Sequence, residues 1–153
     1  MLDKELDEYP LCRNVGELSY HYGYIECPFC GNYRFDATVK DLLTNCPDEF
    51  DDEQRIKLRH FVKKRNEENK NLKNKFFEEL TETKIKEITE NSQIPKLMDK
   101  VLLVLEYILE QTTYFEEQIK LDINTIFPLF YCKHSMELKN ILEFLNTNGY
   151  IRV

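Results

Sequence analysis

Only four glycines occur in 153 residues, and none belongs to a glycine-rich loop of the kind that cradles phosphate. Nucleotide binding through such a loop is therefore not expected. No run of about 18 apolar residues is present, so no membrane-spanning helix is expected either. The start, Met1-Leu2-Asp3-Lys4-Glu5, lacks the basic and then apolar stretch of an export signal, and the expected location is cytoplasmic. There is no His-Glu-X-X-His. The three histidines, His21, His60 and His134, have no local Ser, Cys or Asp arrangement that would form a triad. The acid pairs Glu78-Glu79 and Glu116-Glu117 read as solvated faces, and His60 as a solvated residue on a basic helix. The chain is expected to be non-catalytic.

What is present is enough to build a core, with 42% hydrophobic and 12% aromatic residues. Five cysteines is an odd number, and in a chain without an export signal a close Cys pair points to metal or redox chemistry before a disulfide framework. That pair is Cys27-Pro28-Phe29-Cys30-Gly31. Such a turn presents two thiolates together, and zinc prefers four soft or borderline ligands in a tetrahedron. A partner turn is expected about a dozen residues away. Tyr9-Pro10-Leu11-Cys12 occupies that place with the same Pro and second Cys, but with Tyr9 at the first Cys position. The candidate metal ligands are Cys12, Cys27, Cys30 and His21, with Cys46 as another possible fourth. A metal-free remnant held by its aromatic residues is the alternative, and a redox Cys-X-X-Cys a weaker one, because its strand-to-helix setting is missing. Cys132 reads as a small buried hydrophobe.

The periodicities predict an α+β protein, mainly α with small β elements. Leu18 to Glu26 reads as a hairpin leading into the Cys pair, and Asn32-Tyr33-Arg34-Phe35 as the returning strand. A short helix follows over Ala37 to Leu43. A single helix is expected from Asp51 to Asn69, its start favoured by the acids Asp48 to Glu53. Further helices are expected over 83–90, from Pro95 through Leu109, over 124–131, and from a Ser135 cap to Asn146, where Asn148-Gly149 stops the last. Ile119-Lys120-Leu121 and Tyr150 to Val153 read as strands. The resulting order suggests a zinc-ribbon-like unit over 1–48, a basic linking helix over 49–75 and a winged-helix-like domain over 76–153.

Charge is segregated along the chain. Between Arg55 and Lys75 nine Lys or Arg stand against two acids, although the net charge is -7. Lys57, Arg59, Lys63, Lys64 and Arg65 are the candidate nucleic-acid contacts on that helix, with a solvated charged face as the plainer reading. The helix over 135–147 carries few cations, so the winged-helix-like part is expected to dock protein rather than DNA.

Three stretches, Glu26 to Phe35 around the Cys pair, Arg55 to Asn66 and Met98 to Leu105, together resemble the N-terminal region of bacterial defence-type proteins. In those, a Cys-Pro-X-Cys-Gly ribbon and a winged-helix-like segment precede a nucleoside deoxyribosyltransferase-like or TIR-like domain. The resemblance implies a sensor, adaptor or regulatory subunit in antiviral defence, docking a protein partner or effector on another polypeptide. A nucleic-acid-binding regulator and a small acidic inhibitor of a host protein are the alternatives, and homo-oligomerisation stays open.

Overall fold

In the computed structural model the described residues are 6–12, 15–17, 23–45, 51–114 and 117–152. Strands β1 (Leu6–Glu8) and β2 (Val15–Glu17) form one antiparallel pair, which the alternation of the sequence does not announce. Strands β3 (Tyr24–Cys27) and β4 (Gly31–Phe35) form a second hairpin, paired from Tyr24↔Arg34 to Cys27↔Gly31. Ile25, Cys27, Tyr33 and Phe35 are buried on its inner face, the period-two pattern of a half-buried ribbon. Helix α1 (Ala37–Asn45) follows, started by the Asp36 carboxylate, which accepts from the Val39 amide at 2.9 Å.

Helix α2 (Asp52–Glu68) begins with a reciprocal cap. The Asp51 side chain accepts from the Gln54 amide at 2.8 Å, and the Gln54 side chain accepts from the Asp51 amide at 3.0 Å. Its buried positions are Arg55, Ile56, Leu58, Arg59, Val62 and Lys63, so cations share the inward face with aliphatics. Strand β5 (Glu78–Leu80) then adds to the sheet parallel to β4, with Tyr33↔Glu78 and Phe35↔Leu80 in register. Glu78 is therefore not a solvated residue. It is buried, and accepts from Arg65 Nε at 3.2 Å and Lys84 Nζ at 2.7 Å. Helix α3 (Glu82–Asn91) starts at a Thr81 cap and sends Ile85 and Ile88 into the same core as Leu58 and Val62. Burying each such side chain stabilises the fold by about 1.5–3 kcal/mol.

The division expected between residues 75 and 76 thus cuts one sheet. β5 and α3 belong with the N-terminal core, because β4 needs a hydrogen-bonding neighbour and Ile85 and Ile88 need an apolar one. The second core is built by α4 (Leu97–Gln111), α5 (Ile123–Ile126), a 3-10 turn over Phe127–Phe130 and α6 (Ser135–Thr147). It centres on Val104, Phe127, Phe130, Leu138 and Leu145. Helix α6 is capped one residue earlier than its sequence suggests, His134 accepting from the Glu137 amide at 3.3 Å. It ends as expected at Gly149, φ +77°, where the Tyr150 amide donates to the Leu145 carbonyl at 2.9 Å and the Gly149 amide to Asn146 at 3.1 Å.

The two strands anticipated in this half do not form. Residues 119–121 and 150–152 are irregular, and no β-wing is present among the described residues. Ile151 and Leu121 instead pack against the second core, a job their apolar side chains do without a ladder.

His60 is also placed differently from expectation. It is largely buried at the junction of α2 with the 3-10 turn, stacked on Tyr131 at 3.7 Å, with Nδ1 3.0 Å from the Leu129 carbonyl. That bond requires a proton on Nδ1. Burial, with the Lys64 charge adding to it, lowers the pKa from 6.5 to about 4. A lowered folded pKa means that the unfolded chain takes the proton first. The stabilisation is complete above pH 6.5 and drains away as the pH falls toward 4. Urea unfolding at pH 6.5 and 5 is expected to show a loss of roughly 1.5 kcal/mol that His60→Gln removes from the slope. Equal slopes in the two proteins would contradict this environment for His60.

Candidate metal centre

The two hairpins each present a cysteine-bearing turn. Cys12 lies in the connection between β1 and β2, and Cys27 and Cys30 flank the turn between β3 and β4. The three sulfurs all lie within 4.8 Å of one another. Cys12 and Cys27 Sγ are 3.7 Å apart, and the Cys30 amide donates to Cys27 Sγ at 3.3 Å. Two thiolates on one tetrahedral zinc, each at about 2.3 Å, stand about 3.8 Å from each other. The donor set therefore fits a metal ion in both chemistry and spacing, and the three cysteines picked out by motif converge in space.

The position of Tyr9 explains the incomplete first turn. Its ring is 4% exposed and meets the Phe29 ring edge-on at 6.3 Å, so an aromatic side chain occupies the position where the motif calls for a thiolate. His21 and Cys46, the candidate fourth ligands, lie outside the described residues. Cys27 is pushed up to about 12, first by its hydrogen bond with Cys12 and then by burial, and burial pushes Cys30 well above the usual thiol range. Without a cation these groups are thiols at neutral pH and poor nucleophiles; a bound metal ion deprotonates them.

Helix α2 holds both turns in place. Arg55, 4% exposed, donates to the Pro10 carbonyl beside Cys12 and to the Leu43 carbonyl at the end of α1, the latter at 3.1 Å. Three turns further along, the Asn66 amide clasps the main chain of Asn32. Its Oδ1 accepts from Asn32 N at 2.9 Å and its Nδ2 donates to Asn32 O at 3.0 Å, covering the edge of β4 just ahead of β5. Gly31 is obligatory here. It sits at φ +93°, and a Cβ would lie 2.7 Å from the Asn66 side chain. Neither Arg55 nor Asn66 carries a metal-site signature, because they act on backbone carbonyls and amides distant in sequence.

The basic helix is consequently not the open cationic face that its sequence suggests. Arg59 is buried, donating to the Lys133 carbonyl at 3.1 Å and lying over the Phe127 ring. Lys57 donates to the Thr89 carbonyl at the end of α3 at 3.0 Å, where the helix dipole welcomes a cation. Lys63 is buried, Arg65 pairs with Glu78 and Glu68, and only Lys64 of the five candidate nucleic-acid contacts is exposed. Packing of α2 between the two cores turns Lys57, Arg59 and Lys63 inward, and Glu78 holds Arg65. Phosphate binding needs them outward. Cys132, in contrast, is where expected: it is 1% exposed, and its pKa is pushed up to about 12 by burial.

Fold and site together define a two-core α+β protein with a largely buried three-thiol site capable of holding a metal ion. No family model, curated protein or solved structure matches the chain.

Proposed function

We propose that the chain is a non-catalytic adaptor that docks a partner protein through α4, with zinc held by Cys12, Cys27, Cys30 and His21 as a structural element. The observation that carries the docking reading is the outward face of α4. Met98, Leu102 and Leu109 are 58%, 53% and 62% exposed, and with half-buried Leu105 they form one stripe along the helix. The adjoining face, Val101 and Val104, already fills the second core. The stripe is flanked by exposed Asp99, Glu106 and Glu110, while Lys100 is engaged by Glu137 at 2.6 Å and the exposed cation nearby is Lys96 at the helix start.

Those charges select the occupant. The stripe spacing of four, three and four residues reads the same in both directions, so a second copy could lie antiparallel on it. That arrangement sets Asp99 between Glu106 and Glu110 of the other copy, a like-charge contact. A partner helix with an apolar seam flanked by Lys or Arg meets the same surface with opposite charge. This favours a basic amphipathic helix of an effector subunit, in keeping with the defence-type adaptor role that the resemblance implies.

The test is titration of a fluorescent leucine-seam helical peptide bearing Lys flanks against the same peptide bearing Glu flanks. The Lys form is expected to bind at least about tenfold more tightly, and the double variant Leu102→Glu, Leu109→Glu to abolish binding without lowering stability. Equal binding of both peptides would defeat the proposal. So would reversible self-association in sedimentation equilibrium that the same double variant removes.

A further inference from the structure

Cys12, Cys27 and Cys30 bring three sulfurs within 4.8 Å of one another, and among the described residues no fourth metal-ligating side chain joins them. Zinc asks for four ligands, and on three thiolates it carries a net charge of minus one. The surroundings make that charge costly. Cys27 is 3% exposed and Cys30 0%, in one apolar cluster with Tyr9, Leu11 and Ile25, and Phe29 packs against it. Tyr9, 4% exposed, stands where the motif calls for a fourth sulfur. The site as built favours an occupant that prefers sulfur, takes three ligands and ends neutral.

We infer that the three thiols form a capture site for trivalent arsenic, presented to the protein as arsenous acid. The inference rests on the same convergence of sulfurs as the metal-holding reading, but it requires neither a fourth ligand nor His21. For each cysteine one S–As bond forms and one As–OH bond breaks, and the thiol proton leaves with the hydroxyl as water. Three thiols and one As(OH)3 therefore give one As(SR)3 and three waters. Arsenic stays trivalent, so no oxidant or reductant is consumed. The product is neutral and pyramidal, and the arsenic lone pair lies in the direction where zinc would need its fourth ligand. Burying it carries no charge penalty. The geometry suits the reaction. Cys12 and Cys27 Sγ are 3.7 Å apart and no disulfide links any of the three. Cys12, half-buried in the β1–β2 connection, gives the reagent its way in, with the more deeply buried Cys27 and Cys30 behind it. The adduct also ties the first hairpin to the second, a cross-link that restricts the unfolded chain.

Native mass spectrometry of reduced, metal-free wild-type protein with sodium arsenite is expected to show one adduct whose mass has lost all three hydroxyls, together with a raised melting temperature. Cys12→Ala leaves two thiols. Its adduct is expected to keep one hydroxyl and to bind arsenite at least about tenfold more weakly, while Cys132→Ala behaves as wild type. A wild-type adduct that keeps a hydroxyl would overturn the inference, because only two sulfurs would then be bound. So would equal arsenite affinity in wild type and Cys12→Ala. Should that variant not fold, the mass of the wild-type adduct decides alone. Zinc uptake by the same sample separates the two readings of the site. Protein that takes up zinc but forms no arsenic adduct overturns this inference and keeps the zinc site; protein that forms the three-sulfur adduct and takes up no zinc does the reverse.

Discussion

Wild-type protein is expected to lose up to about 4 kcal/mol of stability when zinc held near a thousandfold above its dissociation constant is withdrawn by chelation, and Cys27→Ser is expected to show no such difference. The reasoning is one of linkage. A metal that binds the folded site, and binds the unfolded chain weakly, stabilises by its mass-action term. Cys27 is the hub of the site. It is 3.7 Å from Cys12 Sγ and accepts from the Cys30 amide, so a hydroxyl in its place removes a soft ligand and disrupts the spacing of the others. Cys132→Ala is the control, because that thiol lies in the other core, against Phe130. It should lower stability through packing but leave the zinc-dependent increment untouched. Denaturant unfolding of the three proteins with zinc and with chelator measures all of this. A wild-type curve indifferent to chelator would dispose of the structural zinc.

Arg55→Ala is expected to cost about 3–4 kcal/mol, and Lys64→Ala less than about 0.5 kcal/mol, although both remove one cation from the same helix. Arg55 is buried and donates to two carbonyls, one at Pro10 in the Cys12 turn and one at the end of α1. Truncation strands both acceptors away from water and opens a cavity beneath the first hairpin. Lys64 is exposed. Urea midpoints separate the two outcomes, and a loss below about 1 kcal/mol at Arg55 would mean that α2 does not hold the Cys12 turn in the way described. The comparison also bears on nucleic acid. If cations on α2 existed to meet phosphate, the exposed one would matter to binding and the buried one to little else.

Local signals read well wherever the chain itself decides the outcome. The Cys-Pro-X-Cys-Gly turn, the α2 start at Asp51, the apolar run of α4 and the Asn148-Gly149 stop all depend on residues within a few positions of each other, and all are found in place. Cys12 was legible as a partner because the same Pro and Cys recur upstream.

The misreadings share one cause. Charged residues count as surface in a sequence, yet Arg55, Arg59 and Lys63 are buried because α2 packs between the two cores, and Glu78 because β5 joins the sheet. Ile119 to Leu121 and Tyr150 to Arg152 have strand-like composition, but a strand requires a partner, and neither segment pairs with another strand among the described residues. Conversely β5, three residues with two glutamates, becomes a strand because β4 presents an open edge.

By itself, then, the sequence determined where most helices begin and end and that three cysteines belong to two matching turns, since these depend on short-range backbone and side-chain chemistry. Only the tertiary structure decided that the sulfurs meet within 4.8 Å, that the basic helix is an internal spine, and that the free apolar face belongs to α4. Those outcomes depend on which surfaces pack together, and packing pairs residues far apart along the chain.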